Sequence, residues 1–290
     1  MSGQFTKKRI RIEVALKSEK LKDGSDKIII DDLPMHVDIV KAGIPSFPEA
    51  SITIWGLELD KMKALSMKGH VALQNYRNRI KVYAGEGEDP TKLPLIFVGE
   101  ESFGAMQVDD SGEARFEMKA FTGIYEALEP SEPKSIQGSV PAADVIAIFA
   151  SEAGMSFINQ GVTTRISNCY VQGNVMQKMM TVADAIGADL IIDDRTVILL
   201  PKDKTRNAQT LTINAQTGLL GYPSITSTGI SVSFIFNPSI RFRQMIHVDS
   251  VIPMATGDHS VMRLQHTLDA NRNGGGAWQT SIESWFNYGL

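Results

Sequence analysis

Paired carboxylates are the residues of this sequence whose type and spacing come nearest to a catalytic arrangement. Hydrolysis of a glycosidic bond needs two carboxyl groups that face each other across the sugar. Adjacent acids occur at Asp31-Asp32, Glu100-Glu101, Asp109-Asp110 and Asp193-Asp194. Neighbours on an extended chain point to opposite faces, and three of these pairs flank predicted turns. We therefore interpret them as solvated acids of turns and not as a catalytic pair.

The histidines and the cysteine form no metal-binding or nucleophilic pattern. None of the histidines lies three or four residues from another ligand on a predicted helix; they are His36, His70, His247, His259 and His266. Cys169, the only cysteine, has no histidine near it in sequence, which favours a buried thiol over a nucleophile. Phosphate-loop, dinucleotide, zinc-protease and serine-hydrolase motifs are absent. The sequence thus predicts no active site, no cofactor and no bound metal.

Aromatic, methionine and basic side chains are the candidates for contacts with other molecules. Trp278, Trp285 and Phe286 are the candidate interface residues, because aromatic anchors commonly dominate association. Closing a barrel core is an equally good use of them. The methionines of residues 176–180 favour core packing over a partner surface. The basic run between residues 7 and 27 favours a solvated strand face over a surface for DNA or an acidic partner.

The bulk composition excludes several classes of protein. With 43% hydrophobic residues over 290 positions, the chain can bury two or three cores. Its net charge of -4 argues against a protein that grips nucleic acid by charge. Apolar stretches such as residues 145–150 fall short of the roughly 20 residues of a membrane helix. The N-terminus leads into an alternating pattern without an apolar signal core. We expect a protein made in the cytoplasm, without a membrane span.

Residues 8 to about 121 follow the two-residue hydrophobic period of strands with one buried face. The first stretch alternates apolar with charged residues: Ile10, Ile12, Val14 and Leu16 against Arg9, Arg11 and Glu13. A short helix is predicted near residues 58–68, and Asp110-Ser-Gly112 predicts a hairpin turn. Several short strands in series indicate an antiparallel barrel or sandwich.

A change of period follows the polar residues 129–134, whose two prolines predict an extended linker. One helix is predicted from Pro141 to Gly154 and another from the N-cap Asn174 to Gly187. Residues 188–192 and 196–200 then predict a hairpin of two strands. This middle part is therefore predicted to be a small α+β unit.

Strand patterns return from about residue 209, and the two β regions share an order of elements. Each ends in a long strand, a polar turn and another strand, which is a weak internal repeat. The predicted fold is mainly β with an α+β insertion, as two similar antiparallel β-barrel domains flanking a small α+β domain. The predicted bounds are 1–134, with the short helix, then 135–204 for the α+β domain, and 205–290.

Several segments resemble the tail hub family of contractile bacteriophages, which includes the Mu-type baseplate hub, the late control hub family and the barrel part of type VI secretion spikes. The segments are Gly56–Leu65, Arg79–Gly85 with Leu95–Gly99, Gly173–Leu190 with Leu199–Pro201, and the closing strand that begins Trp278-Gln-Thr280. Their order spans nearly the whole chain. No lysozyme-like or spike-like extension follows, so we expect those activities in separate proteins.

The resemblance implies a structural, non-enzymatic protein of the virion baseplate, assembled in the host cytoplasm. It implies a homotrimer of paired barrels that adapts the six-fold tail tube to the three-fold spike. The ring would form the channel for the tape measure protein and then for DNA, which passes without specific binding. The implied partners are the tail tube or tube initiator protein, the central spike protein, and baseplate wedge and hub proteins.

Two functions of other classes remain alternatives. One is a tail-associated peptidoglycan hydrolase that uses an acid such as Glu101. The other is a glycan-binding module with an aromatic platform around Trp278 and Trp285. The same hub could also come from a tail-like bacteriocin or a contractile secretion system.

Overall fold

Strands make up most of the regular structure in the computed structural model, which describes residues 7–17, 20–66, 77–108, 112–202, 204–272 and 275–285. The strands are β1 Lys8–Ala15, β2 Lys27–Ile30, β3 Met35–Ala42, β4 Glu49–Trp55, β5 Arg79–Glu86, β6 Leu95–Val108, β7 Ala114–Phe121, β8 Lys134–Pro141, β9 Ser156–Asn159, β10 Arg165–Val171, β11 Ala188–Asp193, β12 Thr196–Pro201, β13 Leu211–Ile213, β14 Ser224–Ile225, β15 Gly229–Ile235, β16 Met245–Val248, β17 Gly257–Ala270 and β18 Trp278–Trp285. The helices are α1 Leu59–Leu65, α2 Ile124–Leu128, α3 Ala142–Glu152 and α4 Val175–Ala185. The prediction of a mainly β chain with little helix is confirmed.

The N-terminal β region, β1 to β7, follows the predicted alternation. In β1 the side chains of Ile10, Ile12 and Val14 are buried, while those of their neighbours along the strand are more exposed to solvent. Burying each such side chain contributes about 1.5–3 kcal/mol, which fixes the inner face of the strand. The short helix predicted near residues 58–68 is α1, although residues 67 and 68 lie outside the described residues. Most of the predicted turn at residues 110–112 also lies outside them.

The middle region, β8 to β12 with α3 and α4, is the predicted α+β unit. Asn174 begins α4 with a capping box, in which its side chain accepts from the Gln177 backbone and the Gln177 side chain accepts from the Asn174 backbone. Strands β11 and β12 form the predicted antiparallel hairpin. Its turn residues Asp194 and Arg195 have φ values of 45° and 64°. Met176 and Met179 are buried, as the core interpretation of these methionines predicted.

The C-terminal β region, β13 to β18, repeats the strand order of the N-terminal one. The order β3-β4-β7-β6-β5 of the first region corresponds to β14-β15-β18-β17-β16 of the second. Strands β6 and β17 both have 14 residues, and β7 and β18 both have 8. The register shifts once in each long pair, between Glu101 and Phe103 and between Val261 and Arg263. The predicted internal repeat is thus visible in pairing and register.

Pairing of β3 with β17 joins the two β regions edge to edge within one 13-stranded sheet. Each region has a buried apolar cluster, and the cluster of the N-terminal β region also includes Phe236, Leu268, Ala270 and Trp278 of the C-terminal one. The closing of two separate barrels and the domain bounds at residues 134 and 204 stay predictions. Among the described residues, no helix combines the length and hydrophobicity that crossing a bilayer requires.

Candidate assembly interface

The three predicted interface aromatics lie in different surroundings. Trp278 is 6% exposed and packs edge-on against Phe236, with ring centroids 5.2 Å apart. Trp285 lies at the other end of β18 on the opposite face and is 58% exposed. Phe286 lies outside the described residues. Trp278 therefore fills the core of the chain, and the pair does not form one aromatic platform.

A groove of about 800 Å³ beside Trp285 lies between the middle region and the C-terminal β region. Phe242 and Met262 line it with apolar surface, and the guanidinium of Arg243 pairs with the Asp189 carboxylate at its rim. The groove is a concave surface next to the exposed ring of Trp285. Its lining is mainly apolar side chain, with the acids Asp184, Asp189 and Glu283 and without a histidine among the described lining residues.

The β3–β17 junction is the contact that unites the two β regions. Eight residue pairs run from Ala42 opposite Arg263 to Met35 opposite Ala270. At its centre Ile39 lies opposite His266, and both side chains are buried. The Nδ1 atom of His266 lies 2.9 Å from the Thr280 hydroxyl. Burial lowers the pKa of His266 to about 3, with the charges of Lys41 and Arg241 adding to the effect.

The turn of the β11–β12 hairpin carries a charged cluster that ties the middle region to β3 and β6. The Lys41 ammonium lies 2.6 Å from the Asp193 carboxylate and 3.0 Å from that of Asp194. Arg206 donates to the other Asp193 oxygen at 2.6 Å, and the Val98 backbone donates to Asp194 at 3.1 Å. Burial alone would raise the pKa of Asp193, but Lys41 and Arg206 hold it well below its ordinary value.

A charged cleft of about 610 Å³ lies between the N-terminal and middle regions. Arg195 pairs there with Glu100 and, at 3.2 Å, with Glu126, and it donates to the Ala153 carbonyl at 2.7 Å. Burial raises the pKa of Glu100, although Arg195 opposes the shift. One guanidinium thus holds both carboxylates, which is an ion-pair arrangement and not an acid–base pair across a substrate.

Glu101 lies inside the protein, away from that cleft. Its side chain is fully buried, one oxygen accepts from the Asn78 amide at 2.7 Å, and the other has no hydrogen-bond partner among the described residues. Burial raises the pKa of Glu101 to about 7. The interpretation of the paired acids as solvated turn residues is therefore wrong for Glu100, Glu101 and Asp193. Their neighbours along the chain gave no sign of the tertiary contacts that enclose them.

The remaining candidate residues, the cysteine and the basic N-terminal run, lie in surroundings that indicate structural roles. Cys169 is buried in β10, and burial raises the pKa of its thiol. Within the described parts of the chain, no group of three His, Cys, Asp or Glu side chains is placed to hold a metal ion. In the basic N-terminal run, Lys7 and Arg9 pair with Asp32, and Lys27 pairs with Glu13. These cations are matched by acids of the same region.

Two further apolar surfaces lie at strand edges that the sequence did not single out. On β6 the side chains of Phe103, Met106 and Val108 are exposed, and on β14 that of Ile225 is exposed. Strand β5 pairs with β6 only as far as Glu100, so that residues 102–108 of β6, like β14, have one partner strand among the pairings of the described residues. Period-two alternation shows which face of a strand is buried, but it does not show which edge lacks a neighbour.

The sequence matches a family of phage baseplate proteins, and the fold is similar to solved structures of phage tail and type VI secretion proteins. A family model described as "Baseplate hub gp41" matches residues 10–274. No curated protein matches the chain.

Solved structures share the fold at low sequence identity. The prophage MuSo2 43 kDa tail protein from Shewanella oneidensis has a TM-score of 0.61 at 9% identity, over 95% of this chain and 98% of that one. The tail protein from Neisseria meningitidis MC58 has a TM-score of 0.64 at 8% identity, over 96% and 97%. The E. coli c3393 protein, described as a component of the type VI secretion system, has a TM-score of 0.56 at 9% identity, over 87% and 73%.

Proposed function

The chain belongs to the baseplate hub gp41 family, a family of structural phage tail proteins, and from that premise we propose that it is a homotrimeric tail hub. In this proposal the hub adapts a six-fold tail tube to a three-fold spike. The observation that carries the proposal is the repeat of strand order and register between the N-terminal and C-terminal β regions.

The repeat within one chain determines the symmetry that a trimer can present to its partners. Three copies of a chain that contains two equivalent β units present six equivalent units around one axis. One side of such a ring matches a six-fold tube, while the three middle regions keep the three-fold symmetry of a spike. A single β unit per chain would give a trimer without six-fold matching, and two unrelated units would not present equivalent surfaces.

The proposed partners follow from this position. The tail tube or its initiator protein would bind one side, the central spike protein the other, and baseplate wedge or hub proteins the periphery. The fold likeness to the E. coli c3393 protein, whose structure is described as similar to the T4 tail proteins gp27 and gp5, supports a place beside a spike. The ring would enclose the channel for the tape measure protein and for DNA, which would pass without specific binding.

The first test is the native mass of the purified protein. A homotrimer is expected, with three times the 31.8 kDa of the chain. A strictly monomeric species at high concentration, in the absence of partners, would count against the proposal. The second test is electron microscopy of tails that carry a tagged hub, with the tag expected at the axial end of the tube. A label on the fibres or along the sheath would contradict it.

A further inference from the structure

The two exposed strand edges correspond, through the internal repeat, to the two edges that are already paired at the β3–β17 junction. The register shift aligns Phe103 of β6 with Arg263 of β17, so that Met106 aligns with His266. At the other edge, Ile225 of β14 lies opposite Ile230, the second residue of β15. In the same way, Ile39 of β3 lies opposite Ala50, the second residue of β4. Ile225 therefore aligns with Ile39.

At each pair of equivalent positions, the residue on the unpaired edge is exposed and its counterpart is buried. Met106 is 50% exposed whereas His266 is 1% exposed, and Val108 is 59% exposed whereas Leu268 is fully buried. Ile225 is 47% exposed whereas Ile39 is fully buried. The covered member of each comparison lies at the β3–β17 junction. The exposed members lie where the same junction would form if another strand were present.

The sequence of both edges fits a pairing surface. Residues 102–108 of β6 and residues 222–228 around β14 contain no charged side chain. Edge strands that must stay unpaired are usually protected by lysines, other charges, bulges or covering segments. An uncharged edge with exposed apolar side chains is instead suited to a partner strand.

We propose that β14 of one subunit pairs antiparallel with β6 of the next subunit, so that the β3–β17 junction recurs between copies. The inference rests on the proposed homotrimer and gives its interface a register: Ile225 lies opposite Met106, and Ser224 lies opposite Gln107. The contact is heterologous, since different edges meet, and such contacts form a closed ring when the rotation between copies closes. The partner is a second copy of this chain.

Cysteine cross-linking tests the register in the full-length protein. Directly opposite residues of antiparallel strands have Cα atoms about 4.5–5.5 Å apart, within the range that a disulfide spans. The double variant Met106→Cys with Ile225→Cys is expected to lose most of its monomer band on a non-reducing gel, with covalent dimers and trimers in its place. Each single variant alone is expected to stay monomeric on that gel, because neither edge meets itself. A mixture of the two single variants is expected to give dimers.

The matched control moves one cysteine out of register along the same strand. Phe103→Cys with Ile225→Cys places the thiols three residues apart along the paired edges, roughly 10 Å at the rise of a strand, and should keep its monomer band. If the protein is a trimer by native mass but the in-register pair cross-links no better than this control, the proposed edge pairing is wrong and the hub proposal stands. A chain that is monomeric by native mass overturns both.

Discussion

The ammonium of Lys41 on β3 donates a hydrogen bond of 2.6 Å to the carboxylate of Asp193, at the end of β11, and both side chains are buried. The two residues are 152 positions apart in sequence. The contact fixes the β11–β12 hairpin against the edge of the N-terminal sheet, one residue before the β3–β17 junction ends at Ala42. The relative placement of the middle region thus depends on a buried charge pair in addition to apolar packing.

Substitution of Lys41 by Met is expected to destabilise the protein by about 3–5 kcal/mol, because the two buried carboxylates lose the cation that they share and Arg206 pairs with Asp193 alone. The substitution keeps a similar volume, so the loss reports charge and not a cavity. Chemical denaturation at pH 7, followed by fluorescence, measures it.

The control for this prediction is an exposed pair of the same type. Lys22 and Asp60 lie 2.7 Å apart at the surface. Lys22→Met is expected to change the free energy of unfolding by less than about 1 kcal/mol, since exposed ion pairs contribute little. Equal losses in the two variants would show that the burial of the Lys41 pair is without consequence.

Much of the fold could be predicted because local patterns report it directly. The alternation of Ile10, Ile12 and Val14 marks the buried face of β1, and Asn174 with Gln177 carries the start of α4 in its side chains. The internal repeat was visible in the order of elements alone. These features depend on contacts within a few residues or on a period that the sequence shows at every position.

The contacts that position the candidate interface could not be predicted in the same way. Asp193 and Arg195 have the sequence appearance of a solvated hairpin turn, and only the packing of the hairpin on β3 and β6 encloses them. The pairing of Ile39 with His266 joins strands more than 200 residues apart. Hydrophobic alternation is equally compatible with many strand partners, so it could not select this one.

Glu101 predicts a fall in stability as the pH rises. Its pKa is raised by burial to about 7 from 4.5. Between these two values the folded protein holds a proton that the unfolded chain has lost, so the free energy of unfolding decreases with rising pH. The full effect, above pH 7, is about 3 kcal/mol. The difference in free energy of unfolding between the wild type and Glu101→Gln should therefore decrease as the pH rises from 5 to 7.5, whereas the difference for the exposed control Glu88→Gln should not change with pH. A difference between the wild type and Glu101→Gln that does not change with pH would contradict the buried, protonated carboxyl.

His266 predicts a dependence of the opposite sign. Its folded pKa is lowered to about 3 from 6.5, mainly by burial. Between these values the unfolded chain binds a proton that the folded protein does not, so stability is lost as the pH falls below 6.5. At pH 5 the loss is roughly 2 kcal/mol. The difference in free energy of unfolding between the wild type and His266→Asn is expected to shift against the wild type as the pH falls from 6.5 to 4.5, whatever its value at pH 7. Titration of His266 near 6.5 in the folded state, followed by NMR, would refute the prediction.

The two tryptophans of β18 are expected to contribute differently to the free energy of unfolding. Trp278→Ala should destabilise the protein by about 3–5 kcal/mol, because it empties a packed site against Phe236. Trp285→Ala should change stability by less than about 0.5 kcal/mol, because the ring is mostly exposed. Thermal unfolding of both variants distinguishes the roles. A large loss at Trp285 in a monomeric preparation would mean that the exposed ring supports the fold and not an interface.

A charge at the open edge of β6 is expected to block association without unfolding the subunit. Met106→Lys places an ammonium where the repeat-equivalent residue, His266, is fully covered, so closing the junction would bury an unpaired charge. Association should weaken at least about 100-fold, which corresponds to about 3 kcal/mol. The control is Leu128→Lys, which changes an exposed apolar residue of α2 in the same manner. Sedimentation over a range of concentrations should show monomers for Met106→Lys and trimers for Leu128→Lys, with unchanged circular dichroism for both. Trimers of equal stability in the two variants would exclude β6 from the subunit junction.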